Sequence, residues 1–418
     1  MSDTIERNQY IETLLSWMGK PVIKVLCGMR RVGKSTLLML LKDTLGKMGT
    51  RPGDILHINL ELMENARYAT PDELHRKIKD TFPAANMKQV LLIDEVQEIA
   101  GWERVINSLH SESWCDIIIT GSNAKLFSGE LATLLSGRYV QLPVYGLSFA
   151  EFLSFRGIQH KDRPATLQEE EFYLWLRWGG LPGLHHIKFA ANEETVDEST
   201  LGLEYLRSIL DTILLKDVVL RNTIREPAFL MLLVRFAFDN IGKLFSAKSI
   251  SDWLKAQKQS ASIETIQNYI RFLEDAQLVF PLKRADIQGK RVLAYQEKLF
   301  IADLGLRHAL LGYRAEDIAS LLENVVLIEL LRRAYTVQVG QTGNKEIDFV
   351  AQKRDEKIYI QVCYLLASPE TIEREFSALE AIKDNYTKMV LSMDRSPSAA
   401  RNGIQHHYVP AWLLGSGS

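Results

Sequence analysis

Between an apolar run, Val22–Leu26, and a stretch with helical apolar spacing, Thr36–Leu45, the chain carries Gly28-Met29-Arg30-Arg31-Val32-Gly33-Lys34-Ser35. The spacing Gly-x-x-x-x-Gly-Lys-Ser is that of a loop that cradles phosphate. Its glycines let the backbone curl so that successive N–H groups face phosphate oxygens, and the helix start adds the positive end of its dipole. Gly28, Met29, Arg30, Arg31, Val32, Gly33, Lys34, Ser35 and Thr36 are therefore the candidate ATP-binding residues. Lys34 is expected to reach the β- and γ-phosphates, and the Ser35 hydroxyl to take a place on Mg²⁺. A strand that feeds such a turn, which in turn feeds a helix, commits the chain to an α/β fold with a parallel sheet.

Two further runs carry matching chemistry. Val90-Leu91-Leu92-Ile93-Asp94-Glu95 is an apolar strand ending in two carboxylates. Asp94 is placed to hold the Mg²⁺ shell, and Glu95 to polarise an attacking water as general base. Ile117-Ile118-Ile119-Thr120-Gly121-Ser122-Asn123 is a buried strand that ends in polar residues, of which Asn123, with Ser122 as runner-up, is expected to orient water against the terminal phosphate. In Ser136-Gly137-Arg138-Tyr139, Arg138 stands on a loop before another strand, where it can project toward a neighbouring subunit. An arginine delivered in this way is worth roughly 10³–10⁵ in rate. The candidate catalytic residues are thus Lys34, Glu95, Asn123 and Arg138, and the candidate metal ligands Ser35 and Asp94.

At 418 residues the chain is too long for one ordinary core. A net charge of −2 gives no global basic field, so any nucleic-acid site has to be a local patch. Cys27, Cys115 and Cys363 lack paired spacing, which argues against a disulfide framework or zinc site and for a reducing cytosol. Met1–Tyr10 is polar, and no apolar stretch approaches the length of a membrane span. Strand and helix signals alternate up to Val144. Helical spacing then dominates over Ser148–Phe155, Glu169–Trp178, Glu204–Leu220 and Pro227–Ile241. Ala247–Ala256 and Ile263–Leu278 read as two helices, the second capped by Ser262, followed by the strands Val279–Asp286 and Arg291–Gln296; helix, helix, hairpin is a winged-helix layout. A helix over Leu321–Tyr335, strands near Thr336–Val339, Glu346–Gln352 and Lys357–Leu365, a helix over Glu370–Asp384 and a strand over Lys388–Ser392 complete the chain, and Gly415–Ser418 reads as an appended linker.

Taken together, Gly28–Ser35, Leu92-Ile93-Asp94-Glu95-Val96-Gln97, Thr120-Gly121-Ser122-Asn123 and Leu135-Ser136-Gly137-Arg138 resemble a widespread group of prokaryotic AAA-type ATPases with a C-terminal domain of unassigned function. The likeness continues through Pro143–Phe152, Trp178-Gly179-Gly180-Leu181-Pro182, Leu299–Arg307 and Glu346-Ile347-Asp348-Phe349-Val350, and so covers nearly the whole chain. It implies an additional-strand P-loop core at 1–147, a helical lid at 148–241, a winged helix at 242–311 and a restriction-endonuclease-like α/β domain at 312–414. It also implies ATP and Mg²⁺ as cofactors.

The outward face of the helix that begins at Ile263 carries Glu264, Gln267, Asn268, Arg271, Glu274 and Asp275, too acidic for a major-groove reader, with Ile263, Ile266, Ile270 and Leu273 expected in the core. Lys283, Arg284, Lys290 and Arg291 are the residues that can touch DNA phosphates. Active members of the endonuclease fold gather a helix Glu, a strand Asp and a Glu-x-Lys strand around Mg²⁺. Here Glu323 or Glu329 and Asp348 fit the first two places, but Gln361-Val362-Cys363 stands in the third. An uncharged carbonyl is a weaker ligand for a hard cation, and a thiol offers no ammonium, so this domain is expected to be inactive as a nuclease. The sequence reading is thus a Mg-ATP-dependent ATPase, oligomeric if Arg138 acts in trans, with a hexamer-like ring as one form. The alternatives are a nucleotide-gated regulator that binds DNA or a protein partner, and an ATP-dependent nuclease.

Overall fold

The computed structural model describes residues 7–68, 70–122, 135, 137–158, 165–186, 196–256, 261–287, 289, 291–395 and 401–415. They form two compact units, Met1–Val144 with Asp275–Gln277, and Tyr145–Glu274 with Leu278–Ser418.

The first unit holds α1 (Asn8–Trp17), β1 (Ile23–Cys27), α2 (Lys34–Lys47), β2 (Ile55–Asn59), α3 (Pro71–Thr81), β3 (Val90–Asp94), α4 (Trp102–Ser111), β4 (Asp116–Gly121) and β5 (Tyr139–Pro143). Its sheet runs β2-β3-β4-β1-β5, every neighbour parallel. Every residue of β1, β3 and β4 is buried, as continuous apolar runs require when helices cover both faces of a parallel sheet. Because β1 lies between β4 and β5, chain connections leave the C-terminal edge of the sheet in opposite directions, which opens the crevice where α/β folds bind ligands. Helix α3 starts where Thr70 and Glu73 make a reciprocal capping box with Pro71 at the first position.

One polar pair breaks the apolar pattern. Lys24, inside β1, is fully buried and ion-paired with Asp116 at the start of β4; Asp116 also accepts from the Gly19 N–H at 2.7 Å. Truncating one member strands the other charge in the sheet. Asp116→Ala is therefore expected to cost about 3–5 kcal/mol, read as a lower urea midpoint at unchanged slope.

In the second unit, α5 (Phe149–Phe155), α6 (Ala165–Trp178), α7 (Val196–Thr212) and α8 (Pro227–Asp239) supply the helical stretch, and α7 runs on through wider π-type turns over Ile213–Leu220. Next come β6 (Leu244–Phe245), α9 (Ala247–Ala256), α10 (Ile263–Asp275), β7 (Val279–Asp286), β8 (Arg291–Ile301), α11 (Leu304–Leu311) and α12 (Ile318–Arg332). The last elements are β9 (Thr336–Thr342), β10 (Lys345–Lys353), β11 (Glu356–Val362), α13 (Pro369–Glu380), β12 (Thr387–Ser392), β13 (Gln405–Tyr408) and α14 (Val409–Leu413). The strands form one eight-stranded mixed sheet, β13-β12-β11-β10-β9-β7-β8-β6. The hairpin expected as a wing is hydrogen-bonded into this sheet, with β7 parallel to β9 over Arg284–Asp286. The helix expected at 247–256 is present; the one expected at 263–278 ends at Asp275, and Ser262 caps it by accepting from the Thr265 N–H at 3.0 Å. Ile266, Ile270 and Leu273 are buried as expected; Ile263 is not, because the first turn of the helix lifts it to 47% exposure.

Two sequence motifs meet inside this unit. The Asp303 carboxylate caps α11 through the Leu306 N–H at 3.2 Å and accepts the Gly180 N–H at 2.6 Å. His308 Nδ1 lies 2.7 Å from the Arg177 carbonyl; burial pushes this imidazole down to about 4, so the neutral ring donates there. Trp175 and Trp178 are buried core anchors, and the half-buried Trp253 packs on Phe236 at a ring separation of 5.2 Å. All three cysteines are free and buried, and burial raises each thiol, Cys115 and Cys363 to about 12. Among the described residues no helix is long and apolar enough to cross a membrane.

Candidate nucleotide site

Strand β1 delivers Gly28 at its C-terminal end. A β-carbon there would lie 2.3 Å from the Val144 carbonyl oxygen, so only glycine lets the turn pass. Arg31 and Gly33 take positive φ, 66° and 96°, and Gly33 opens α2 without any side-chain cap. With no acidic residue in its first turn, the helix presents its N–H groups and dipole to an anion. Ser35 and Thr36 lie in that first turn, half-buried and exposed respectively. Met29 and Val32 are buried and fasten the loop to the core; Arg30 reaches Glu61 at 3.3 Å.

Lys34 is only 4% exposed. Its ammonium donates to the carbonyls of Gly28 at 2.9 Å and Met29 at 3.2 Å, and lies 3.7 Å from Glu95 Oε1. β3 is parallel to β4, so Asp94 ends its strand beside Thr120. The Thr120 hydroxyl donates to Asp94 Oδ1 at 2.5 Å and accepts the Glu95 N–H at 2.9 Å. Asp94 is fully buried, and among the described residues its Oδ2 has no hydrogen-bond donor. A bare buried carboxylate oxygen fits a hard cation or its water shell.

Glu95 has φ 53° and starts a tight 3₁₀ turn over Val96–Glu98, which brings the Gln97 amide back to donate to Glu95 Oε2. Burial raises the Glu95 carboxyl, but the Lys34 ammonium and the Gln97 amide outweigh it and hold the group below its ordinary range. Ser122 is buried, with its hydroxyl 3.5 Å from Gln97 Nε2; Asn123 lies outside the described residues.

Arg138 stands at the other end of the sheet. It precedes Tyr139, which pairs with Ile23 at the start of β1, whereas the phosphate loop follows Cys27 at the finish. A five-residue strand separates the two, about 13 Å at 3.3 Å per residue. Arg138 is exposed and donates to the Ser111 hydroxyl at 2.9 Å.

The structure thus brings together Lys34, Asp94 and Glu95 and sets Arg138 apart. Sequence reading missed Thr120 and Gln97 as working partners of the two carboxylates. It also missed Arg7, whose buried guanidinium donates to the Val32 carbonyl at 2.9 Å and ties α1 to the loop. Gln97 stands in the quoted Asp-Glu-Val-Gln run, but nothing in its residue type announces a turn that folds back.

A second polar cluster lies in the eight-stranded sheet. Lys298, 4% exposed, places its ammonium 3.2 Å from Glu323, 2.9 Å from Glu346 and 3.4 Å from Asp348. Glu323, not Glu329, is the helix carboxylate beside Asp348; Glu329 pairs with Arg332 and Arg333. Burial and the neighbouring Asp348 push Glu323 up to about 8. Gln361 accepts from the Asp348 N–H at 2.7 Å and donates to Glu375 at 3.1 Å. The cluster opens on a cavity of about 800 Å³ lined in part by Glu323, Asp348, Gln361, Cys363 and Arg374. Arg284 points back to Glu346 at 3.6 Å, Lys283 is exposed, and Lys290 lies outside the described residues. Among the described residues no group of three or more His, Cys, Asp and Glu is arranged to hold a metal ion.

The parallel sheet of order β2-β3-β4-β1-β5, with a phosphate loop after β1 and an acidic pair after β3, defines a P-loop fold, and residues 20–153 match the AAA domain family. Residues 169–317 match a domain family of unknown function. The chain is 37% identical over 410 residues to an uncharacterised protein of Haemophilus influenzae, covering 98% of each, and it belongs to the same family as that protein. An uncharacterised protein of Methanocaldococcus jannaschii is 32% identical over 371 residues, 87% of this chain and 79% of that one. Similar solved structures include the Aeropyrum pernix ORC1 protein in complex with DNA (TM-score 0.32, 12% identity, 73% of this chain and 92% of that one). Another is AMPPCP-bound DnaA of Aquifex aeolicus (TM-score 0.33, 14% identity, 64% and 86%).

Proposed function

We propose that the chain is a Mg-ATP-dependent ATPase that couples its nucleotide state to the segments beyond residue 147. The observation that carries this reading is the meeting of Lys34, Asp94 and Glu95 at the uncapped start of α2. The amides of Gly28–Ser35 and the Lys34 ammonium bind the β- and γ-phosphates, with Thr36 beside them on α2. Ser35 and Asp94 would hold Mg²⁺, which would stabilise the negative charge of the phosphates. Glu95 takes a proton from water as that water attacks the γ-phosphorus; the bond to the β–γ bridging oxygen breaks, and ADP and phosphate leave. Ser122, or Asn123 beyond it, orients the water. Thr120 fixes the Asp94 carboxylate and the Glu95 backbone at once. The three free, buried thiols support cytoplasmic residence.

The proposed segments are the core at 1–147, a helical lid at 148–241, a winged helix at 242–311 and an endonuclease-like domain at 312–414. Lys298 between Glu323, Glu346 and Asp348 supports an inactive nuclease fold, because an ammonium sits among the carboxylates that a metal would need. This favours a regulator or partner-binding role for the C-terminal half, with DNA or a protein as partner, over nuclease action.

Arg138 is distant from the loop of its own chain, which supports delivery to a neighbouring subunit in an oligomer. Phosphate release by the purified chain with Mg-ATP tests the reading, and folded protein without affinity for adenine nucleotide would overturn it. Mixing Arg138→Ala with Lys34→Ala subunits is expected to restore part of the lost turnover. No recovery in assemblies shown by mass to be mixed removes Arg138 from that role.

A further inference from the structure

We propose that Gln97 is a positioning residue for Glu95, dividing the carboxylate so that one oxygen is pinned while the other serves the water; this rests on the ATPase reading above. The two oxygens of Glu95 have different partners. Oε1 faces the Lys34 ammonium at 3.7 Å, and Oε2 accepts from the Gln97 amide. Lys34 also serves the Gly28 and Met29 carbonyls, so its ammonium is shared within the loop. Phosphate oxygens are stronger partners for that ammonium than any of the three, and their arrival draws it from Glu95.

Oε1, on the phosphate side, is then released toward the attacking water. Oε2 stays bound, because Gln97 belongs to the rigid turn over Val96–Glu98, where Glu98 N–H donates to the Glu95 carbonyl at 3.0 Å. Gln97 is itself steadied by the Ser122 hydroxyl at 3.5 Å, on the loop after β4. Gln97 Oε1 is buried and takes no hydrogen from the described protein, and a buried amide oxygen of this kind accepts from water or ligand. Of the other groups acting on Glu95, Arg30 contributes its charge from the loop and the Ser122 hydroxyl hydrogen-bonds the carboxylate. Once Lys34 has moved, Gln97 is the donor that holds Oε2, with Ser122 as a second partner of the carboxylate.

The test is steady-state turnover and ATP binding by wild type, Gln97→Leu, Gln97→Glu, and each combined with Glu95→Gln, with thermal melts to establish folding. Gln97→Leu keeps the bulk and removes the donor; kcat is expected to fall about 10- to 100-fold, as a misaimed base does, with KM and ATP affinity within about threefold. Gln97→Glu, isosteric but repelling, falls further. In the Glu95→Gln background neither change lowers turnover again, because Gln97 acts only through Glu95. A residue that merely supports the fold would add its own loss there. Wild-type turnover with an unchanged kcat in Gln97→Leu overturns the inference alone, as does an additive loss in the double variants. Absence of turnover in wild type overturns the ATPase reading, and this inference with it.

Discussion

Lys34→Ala is expected to weaken ATP binding by about 10²–10³-fold, whereas Glu95→Gln binds ATP as well as wild type or better and turns over about 10²–10⁴-fold more slowly. The two residues touch, yet their losses differ in kind. The Lys34 ammonium is already bent into its loop by two carbonyls, so little ordering remains when phosphate arrives, and its removal subtracts a charge-assisted bond from ground state and transition state alike. Glutamine at 95 has the shape of the native side chain but cannot accept a proton, so its loss falls on the chemical step. It also releases Lys34 from the carboxylate that competes with phosphate, which is why affinity should hold or rise. Equilibrium titration with a fluorescent ATP analogue and a phosphate-release assay separate the two effects. Turnover by Glu95→Gln within twofold of wild type would remove Glu95 from the role of base.

The phosphate loop, the acidic pair and the polar end of β4 were legible because each joins a residue-type rule to a buried strand, and a parallel sheet must bring its C-terminal strand ends to one edge. Gln97 and Thr120 were not legible as partners. Their contacts depend on the left-handed backbone at Glu95 and on the pairing of β3 with β4, neither of which a local pattern encodes. Lys24 was hidden for the opposite reason: a charge within an apolar run hints at a buried partner, but Asp116 lies 92 positions away. β13 reads Gln-His-His-Tyr and shows no apolar alternation, so only its place at the sheet edge beside β12 makes it a strand. Two helices and two strands stand where the helix-helix-hairpin pattern placed them, but the second helix ends at Asp275 and the second strand runs on to Ile301. That the hairpin continues into the C-terminal sheet through β9 is a matter of long-range pairing, as is the arrival of Lys298 among Glu323, Glu346 and Asp348.

Gly305→Ala is expected to cost about 3–5 kcal/mol, a large part of the roughly 5–15 kcal/mol of a typical fold. An ideal β-carbon at Gly305 lies 2.0 Å from the Trp178 carbonyl oxygen and 2.7 Å from its carbon, and backbone cannot swing aside as a flexible side chain would. The segment Trp178-Gly179-Gly180 has to retreat from α11, and the Gly180 N–H then leaves Asp303. Asp303 needs that donor. Burial pushes its carboxyl up to about 6, although the N–H groups of Gly180, Leu306 and Gly305 pull the other way. A carboxyl raised on folding contributes stability that is present below its unfolded value, near 3.9, and is lost as pH rises through about 6. At pH 7 the buried charge weighs on the fold and leans on those three donors; at pH 4.5 the protonated form leans on them less. The deficit of Gly305→Ala against wild type, measured by urea unfolding, should therefore be larger at pH 7 than at pH 4.5. Gly312→Ala is the clash-free control: its φ of 82° and ψ of 159° lie in a region essentially confined to glycine, and its β-carbon meets nothing within 4 Å, so only backbone strain of about 1–3 kcal/mol applies. Equal losses at the two glycines, or a pH-independent loss at Gly305, would show that the contact between the two motifs does not hold this unit together.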